Sequence, residues 1–260
     1  MFSIRQLGVV FSISVVLVAA MVAPVWAAPS GGEVLLLGSS SVFGAFGHRV
    51  ERELEARGLD VTVHGRSSSG FARPDFFDWQ AKARAIPIGR NTRAAIVYLG
   101  GNDAQGFRLR NDAERRRYKG RDRWLRWKHR NWARAYADRV AALGRLLCQR
   151  GLRRVVFVTP ADVRDPWLRG RLTRIRKAIT RGARRARCAR VVSAAGDVAA
   201  LAGDARRPRA KRLRGPDGAH MTRLGADRLW KRIGKRLVSA LGVRPRKGRR
   251  PVRGHRTASL

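Results

Sequence analysis

Val34-Leu35-Leu36-Leu37-Gly38-Ser39-Ser40-Ser41 is the stretch that decides how this chain folds. Four apolar residues that stop at a glycine and three hydroxyls read as a buried strand of a parallel sheet turning sharply into a helix. Strand ends of this kind gather reactive groups. The strand fixes position, and the following helix offers free N–H groups and the positive end of its dipole. A serine-rich turn taken alone is commonly no more than a helix cap, so the reading depends on what the distant parts of the chain supply.

Downstream, Phe43, Phe46, Val50 and Leu54 form the apolar stripe of a helix from Val42 to Arg57, with Gly58 as its stop. Val61 to His64 is a short strand. The turn Gly65-Arg66-Ser67-Ser68-Ser69-Gly70 follows, then an aromatic segment from Phe71 to Trp79 in which Pro74 can open a helix. Ala95 to Leu99 is a third strand ending in Gly100-Gly101-Asn102-Asp103. The densely basic interval from Ala104 to Arg130 reads as a long functional or mobile loop. Its Trp124 and Trp127 either cover apolar surface, the favoured reading, or stack on sugar rings or bases.

Trp132, Tyr136, Val140, Leu143 and Leu147 mark a helix, Val155 to Val158 a fourth strand, and Leu168, Leu172, Ile175 and Ile179 another helix. Asp162 and Asp165 flank the loop between them as helix caps. Val191-Val192 is the last strand. A basic loop from Gly203 to Arg214 delivers Gly215-Pro216-Asp217-Gly218-Ala219-His220, and Thr222 caps a final helix carrying Ala226, Leu229, Ile233 and Leu237. Alternating strands and helices predict an α/β fold, a three-layer sandwich around a mostly parallel sheet.

The ends of the chain read differently. Arg5 precedes an uncharged, mostly apolar run over residues 7–23, followed by Val25 and Ala27 at the small-residue positions of a cleavage site. That is the layout of a secretory signal or an uncleaved anchor over residues 1–28. The folded domain then occupies 29–243, exported to the periplasm or secreted. Residues 244–260, rich in Arg, Pro and Gly, read as a disordered basic tail.

The net charge is +39, from 57 Lys and Arg against 18 Asp and Glu. Arginine supplies most of it and keeps its proton at any physiological pH. Such a field favours anionic polymers or a membrane surface, met through the basic loop and the tail. A genome-wide arginine bias accounts for it equally well. A specific nucleic-acid partner is not expected for an exported chain. The two cysteines, Cys148 and Cys188, each precede a strand, and an even pair in an oxidising compartment suggests a structural disulfide at the amino-terminal edge of the sheet.

The strand ends supply what acyl transfer by serine needs: a nucleophile, a base, a group to orient the base, and donors for an oxyanion. Ser40 is the candidate nucleophile, with Ser39 and Ser41 as rivals. His220 is the base and Asp217 its orienting carboxylate. The N–H of Ser40, the N–H of Gly70 and the side-chain amide of Asn102 are the oxyanion donors. Asp103 reads as a brace of its own turn. His48 and His64 read as helix-surface and strand-end residues without partners. The chemistry requires neither metal nor organic cofactor.

These residues resemble a known family. Gly38-Ser39-Ser40, Gly70, Gly100-Gly101-Asn102-Asp103 and Asp217-Gly218-Ala219-His220 stand in the order of the four blocks of the SGNH (GDSL-type) hydrolases, over roughly residues 33–241. The stretch from Ser69 to Trp79 looks like an exported bacterial branch whose members are mostly uncharacterised. The resemblance implies a flavodoxin-like α/β/α sandwich, a Ser40-His220-Asp217 triad and an oxyanion hole from Ser40, Gly70 and Asn102. One position departs from the pattern: Ser39 stands where the family has aspartate. The expected activity is an exported serine esterase removing acyl groups, most simply acetyl, from a cell-envelope or extracellular carbohydrate. The alternatives are a lipid or thioester acyl hydrolase, and a non-catalytic binder of anionic polymers. Oligomeric state is not legible.

Overall fold

The computed structural model describes residues 31–196 and 213–243. The signal or anchor, the basic tail and most of the loop after Gly203 lie outside the described residues.

Along the first strand, β1 (Glu33–Gly38), the side chains alternate between two apolar environments. Leu35 and Leu37 enter one core and Val34 and Leu36 the other, as the period of two demands when both faces of a sheet are covered. The strands β2 (Asp60–Gly65), β3 (Thr92–Tyr98), β6 (Arg154–Val158) and β7 (Ala189–Val192) join β1 in a five-stranded, all-parallel sheet of order β2-β1-β3-β6-β7. One face is covered by α2 (Ala45–Glu55) and α7 (Arg223–Leu241), whose Phe46, Val50, Leu54, Leu229 and Ile233 pack on Val34, Leu36 and Ile96. The other carries α3 (Trp79–Ala85), α5 (Trp132–Gln149) and α6 (Pro166–Ala183). This is the expected α/β/α sandwich with a flavodoxin-like strand order.

The strand order reverses between β1 and β3. The chain leaves β1 for β2 on one side, then returns to place β3 on the other. Helices on opposite faces diverge at such a point and leave a crevice at the carboxyl ends of the two strands.

Several local expectations are corrected. The helix expected from Val42 onward is two, α1 (Ser40–Phe43) and α2, divided at Gly44. The chain turns at Gly44, whose backbone is extended, and α1 then lies so close to α2 that a Cβ on Gly47 would stand 1.6 Å from the Val42 carbonyl oxygen. Phe43, assigned to the buried stripe, is consequently 41% exposed. Pro74 opens no helix; α3 begins at Trp79, where the Asp78 side chain accepts from the N–H groups of Gln80 and Ala81.

The basic interval after β3 is structured rather than a long loop. It holds a two-stranded antiparallel ribbon, β4 (Phe107–Arg108) with β5 (Trp124–Leu125), and α4 (Asp112–Tyr118). Arg139 of α5 anchors it. The residue is 4% exposed, and its guanidinium donates to the carbonyls of Phe71 and Arg108 and to Glu114 and is pushed down to about 10 by burial. Trp127 packs edge-on to Trp132 at 4.5 Å, in keeping with the favoured apolar role. Cys148 and Cys188 are joined in a disulfide at the amino-terminal edge of the sheet.

Candidate active site

Ser39 and Ser40 come straight off β1. Ser39 has extended backbone geometry and caps α1, and Ser40 is its first helical residue, so the Ser40 N–H is among the donors that a helix start leaves unpaired. The turn is tight because Gly38 lacks a Cβ, which would lie 2.6 Å from the Tyr98 carbonyl oxygen on β3.

His220 arrives on a loop folded on itself. The Gly215 N–H donates to the His220 carbonyl at 2.8 Å, and the Gly218 N–H to the Gly215 carbonyl at 3.0 Å. Gly218 sits at φ +69°, a conformation L side chains rarely adopt. Within this loop Asp217 Oδ1 accepts from the N–H groups of Ala219 (2.9 Å) and His220 (3.0 Å), while its Oδ2 takes the Nδ1 hydrogen of His220. That assignment leaves Nε2 as the acceptor, 2.8 Å from Ser40 Oγ. The hydrogen bond from His220 holds the Asp217 carboxyl down to about 2. Both side chains remain about half exposed, at 55% for His220 and 48% for Asp217.

Asn102 and Gly70 meet from the ends of β3 and β2, the strands on either side of β1. Asn102 Nδ2 donates to the Ser69 carbonyl at 2.9 Å, which orients the amide and leaves its second hydrogen free. Among the described residues the buried Gly70 N–H donates to no protein acceptor. Gly70 is irreplaceable for a second reason: a Cβ there would lie 2.1 Å from Asp103 Oδ1.

Asp103 does more than brace its own turn. Its buried carboxylate accepts from Phe71 N–H (2.9 Å), Ala72 N–H (2.8 Å) and the Tyr136 hydroxyl (2.7 Å), pinning the Gly70 segment to β3 and α5. Burial pushes the Asp103 carboxyl and the Tyr136 hydroxyl up, the latter strongly.

Ser40, Asn102 and His220 line a cavity of about 100 Å³ whose far wall is apolar: Leu99, Pro160, Val163, Leu168 and Leu172. Arg214 closes one side. It is buried and donates to the carbonyls of Ala219 and Asp162, tying the His220 loop to the loop after β6. The rival hydroxyls of Ser39 and Ser41 line the same cavity, yet Ser40 is the serine bonded to His220.

Sequence reasoning missed Arg214 and Tyr136. Tyr136 lay in a helical stripe that reads as core, and Arg214 stands in a run of arginines that nothing in the sequence separates. Asp165 caps α6 as expected, through the Trp167 N–H, whereas Asp162 caps nothing and instead pairs with Arg176 and accepts from Gly196 N–H at 2.7 Å. His48 has a partner after all, Glu51 at 3.5 Å; His64 is a buried strand-end residue, its Nε2 unpaired and its pKa lowered by burial.

A family described as "Protein of unknown function (DUF459)" matches residues 33–236, from β1 through most of α7. The chain belongs to this family. DUF459 is associated with SGNH-like hydrolases, consistent with the four sequence blocks. The DUF459 chain matches no functionally curated protein in sequence. Among solved structures it is similar to LAE5, an alpha/beta hydrolase enzyme from the metagenome of Lake Arreo, Spain. The identity is 15% and the TM-score 0.53, over 82% of this chain and 96% of that one. It is also similar to Axe2, an acetylxylan esterase from Geobacillus stearothermophilus, at 15% identity and a TM-score of 0.47, over 82% and 95% of the two chains. At such identities the likeness to LAE5 shows the fold alone.

Proposed function

We propose that this DUF459 protein is an exported serine esterase that removes a short acyl group, most simply acetyl, from a carbohydrate. The observation that carries the reading is the 2.8 Å contact between Ser40 Oγ and His220 Nε2, with Asp217 on the far ring nitrogen. A hydroxyl within hydrogen-bond reach of a base that is itself oriented by a carboxylate is an activated nucleophile.

In the proposed reaction Ser40 Oγ attacks the ester carbonyl carbon as its proton passes to His220 Nε2. The negative charge that builds on the carbonyl oxygen is met by the N–H groups of Ser40 and Gly70 and the free hydrogen of Asn102. Collapse breaks the bond to the alcohol, which leaves with the proton held by His220. Water, deprotonated by His220, then attacks the acyl-enzyme, releases the acid and restores Ser40. Asp217 keeps the imidazole in the required tautomer and stabilises its cationic form.

The cavity supports a short acyl group over a lipid chain. Its volume of about 100 Å³ is well under the roughly 300–1,000 Å³ of sites that enclose larger ligands. The test is turnover of p-nitrophenyl esters of increasing chain length by the wild type and Ser40→Ala. Acetate should be preferred and Ser40→Ala should be about 10³-fold slower or worse; equal rates in the two proteins would reject the assignment.

A further inference from the structure

Among the described residues four large apolar side chains are exposed: Phe43 (41%), Phe76 (46%), Trp167 (60%) and Leu224 (50%). All four stand around the carboxyl edge of the sheet. Phe43 closes the short helix that Ser40 opens, with its ring over Gly65 at the end of β2. Phe76 belongs to the segment that follows Gly70. Trp167 lies in the first turn of α6 beside Leu168, which lines the cavity. Leu224 lies in the first turn of α7, four positions after His220. Phe43 and Phe76 thus rise on the β2 side of Ser40 and Trp167 on the β6 side.

Two of these rings carry a guanidinium on their face. Arg66 is 5.5 Å from the Phe76 centroid and Arg171 is 3.7 Å from that of Trp167. Arg73, from the Gly70 segment, lies 5.2 Å from the centroid of Trp124. Of these, Arg73 spends its N–H edge on Asp75, Arg171 gives one N–H to the Ala104 carbonyl at 2.8 Å, and Arg66 donates to no carboxylate among the described residues; a stacked guanidinium offers its remaining N–H groups to a planar anion at little further cost in side-chain order. The carboxylates of this edge are already engaged: Asp75 by Arg73, Asp162 by Arg176, Asp217 by His220 and Asp165 by the Trp167 N–H. Among the described residues no carboxylate pairs with the exposed Arg66 or Arg223, so both add to the +39 field.

We propose that this rim is the docking surface for an acylated anionic glycan, laid across Ser40 with sugar faces on Phe76 and Trp167 and its carboxylates on the arginine edges. The proposal names the polymer for the esterase reading and rests on that reading for the chemistry, though not for the binding. Charge complementarity selects the anionic glycan. A bilayer fits less well, because rings already faced by guanidinium groups would carry charge into hydrocarbon, and the apolar residues are spaced around the edge instead of forming one patch.

The experiment is calorimetric titration of the full chain at low salt with galacturonate oligomers and with neutral xylo-oligomers of equal length. Parallel titrations use Arg66→Gln, Trp167→Ala and, at the opposite edge of the sheet, Arg187→Gln. The galacturonate oligomers should bind about tenfold tighter or more and weaken steeply with added salt. Both rim variants should lose at least about threefold of that affinity while Arg187→Gln keeps it, and p-nitrophenyl acetate turnover should be unchanged in every variant. Equal losses in Arg187→Gln would assign the binding to overall charge and overturn the proposal. So would tighter, Trp167-dependent capture by phosphatidylglycerol vesicles. Because binding is read without turnover, a protein that binds but hydrolyses nothing refutes the esterase and leaves the rim standing.

Discussion

Ser40 and His220 are 180 positions apart in sequence and 2.8 Å apart in space, and the chemistry proposed here turns on that contact. Asp217 sets its geometry. Asp217→Asn replaces an acceptor with an amide that can favour the wrong imidazole tautomer, so kcat should fall by roughly 10³-fold with KM little changed. The hydrogen bond from His220 keeps the carboxyl down to about 2, below the roughly 3.9 of an unfolded chain. Its contribution to stability is therefore present above about pH 4 and fades as pH falls through about 2, and the exposure of the pair keeps it small. A pH–rate profile should accordingly show no loss from Asp217 protonation above that range. These three residues were legible in the sequence because each occupies a block of fixed order. Arg214, which fastens the His220 loop, was not, since a buried arginine and its exposed neighbours look alike until the fold separates them.

Between β3 and the Gly70 segment the coupling runs through the Asn102 amide on the Ser69 carbonyl and, more heavily, through the Asp103 carboxylate. Asp103→Asn keeps the size but turns one of its acceptors into a donor facing N–H groups or the Tyr136 hydroxyl. We expect a loss of about 1–3 kcal/mol in stability, read by urea denaturation. We also expect a fall in kcat larger than any rise in KM as the Gly70 N–H loses its aim; wild-type kinetics in this variant would remove Asp103 from the positioning of the site. The sequence marked every strand of the main sheet and the large helices, because apolar runs and 3.6-residue stripes survive in one dimension. It did not mark the break at Gly44 or the late start of α3. Both involve contacts with residues elsewhere: the backbone of α1 against Gly47, and Asp78, whose carboxylate caps α3 while Arg110 holds it at 2.7 Å. The small ribbon of β4 and β5 was likewise hidden, because two residues per strand are too few for a period-two pattern to show.

At the scale of the molecule the two edges of the sheet have different tasks. The carboxyl edge holds the cavity, the Gly70 segment and the aromatic rim, while the amino edge holds the disulfide between Cys148 and Cys188, which closes 40 positions of chain. Reducing it should cost about 2–4 kcal/mol of stability and leave ester turnover below the new melting point unchanged, measurable by thermal melts and rates with and without reductant. The strand order could not be read from the sequence alone, because no local pattern says that β3 returns to the other side of β1; the resemblance supplied it. That reversal opens the crevice in which Ser40 and Asn102 converge. The most direct test of the account is to treat the protein with a fluorophosphonate, which phosphonylates an activated serine, and map the adduct by mass spectrometry. The account predicts a single adduct on Ser40, lost in Ser40→Ala and formed far more slowly in His220→Ala. An adduct on Ser39 or Ser41, or unchanged labelling without the imidazole, would contradict it.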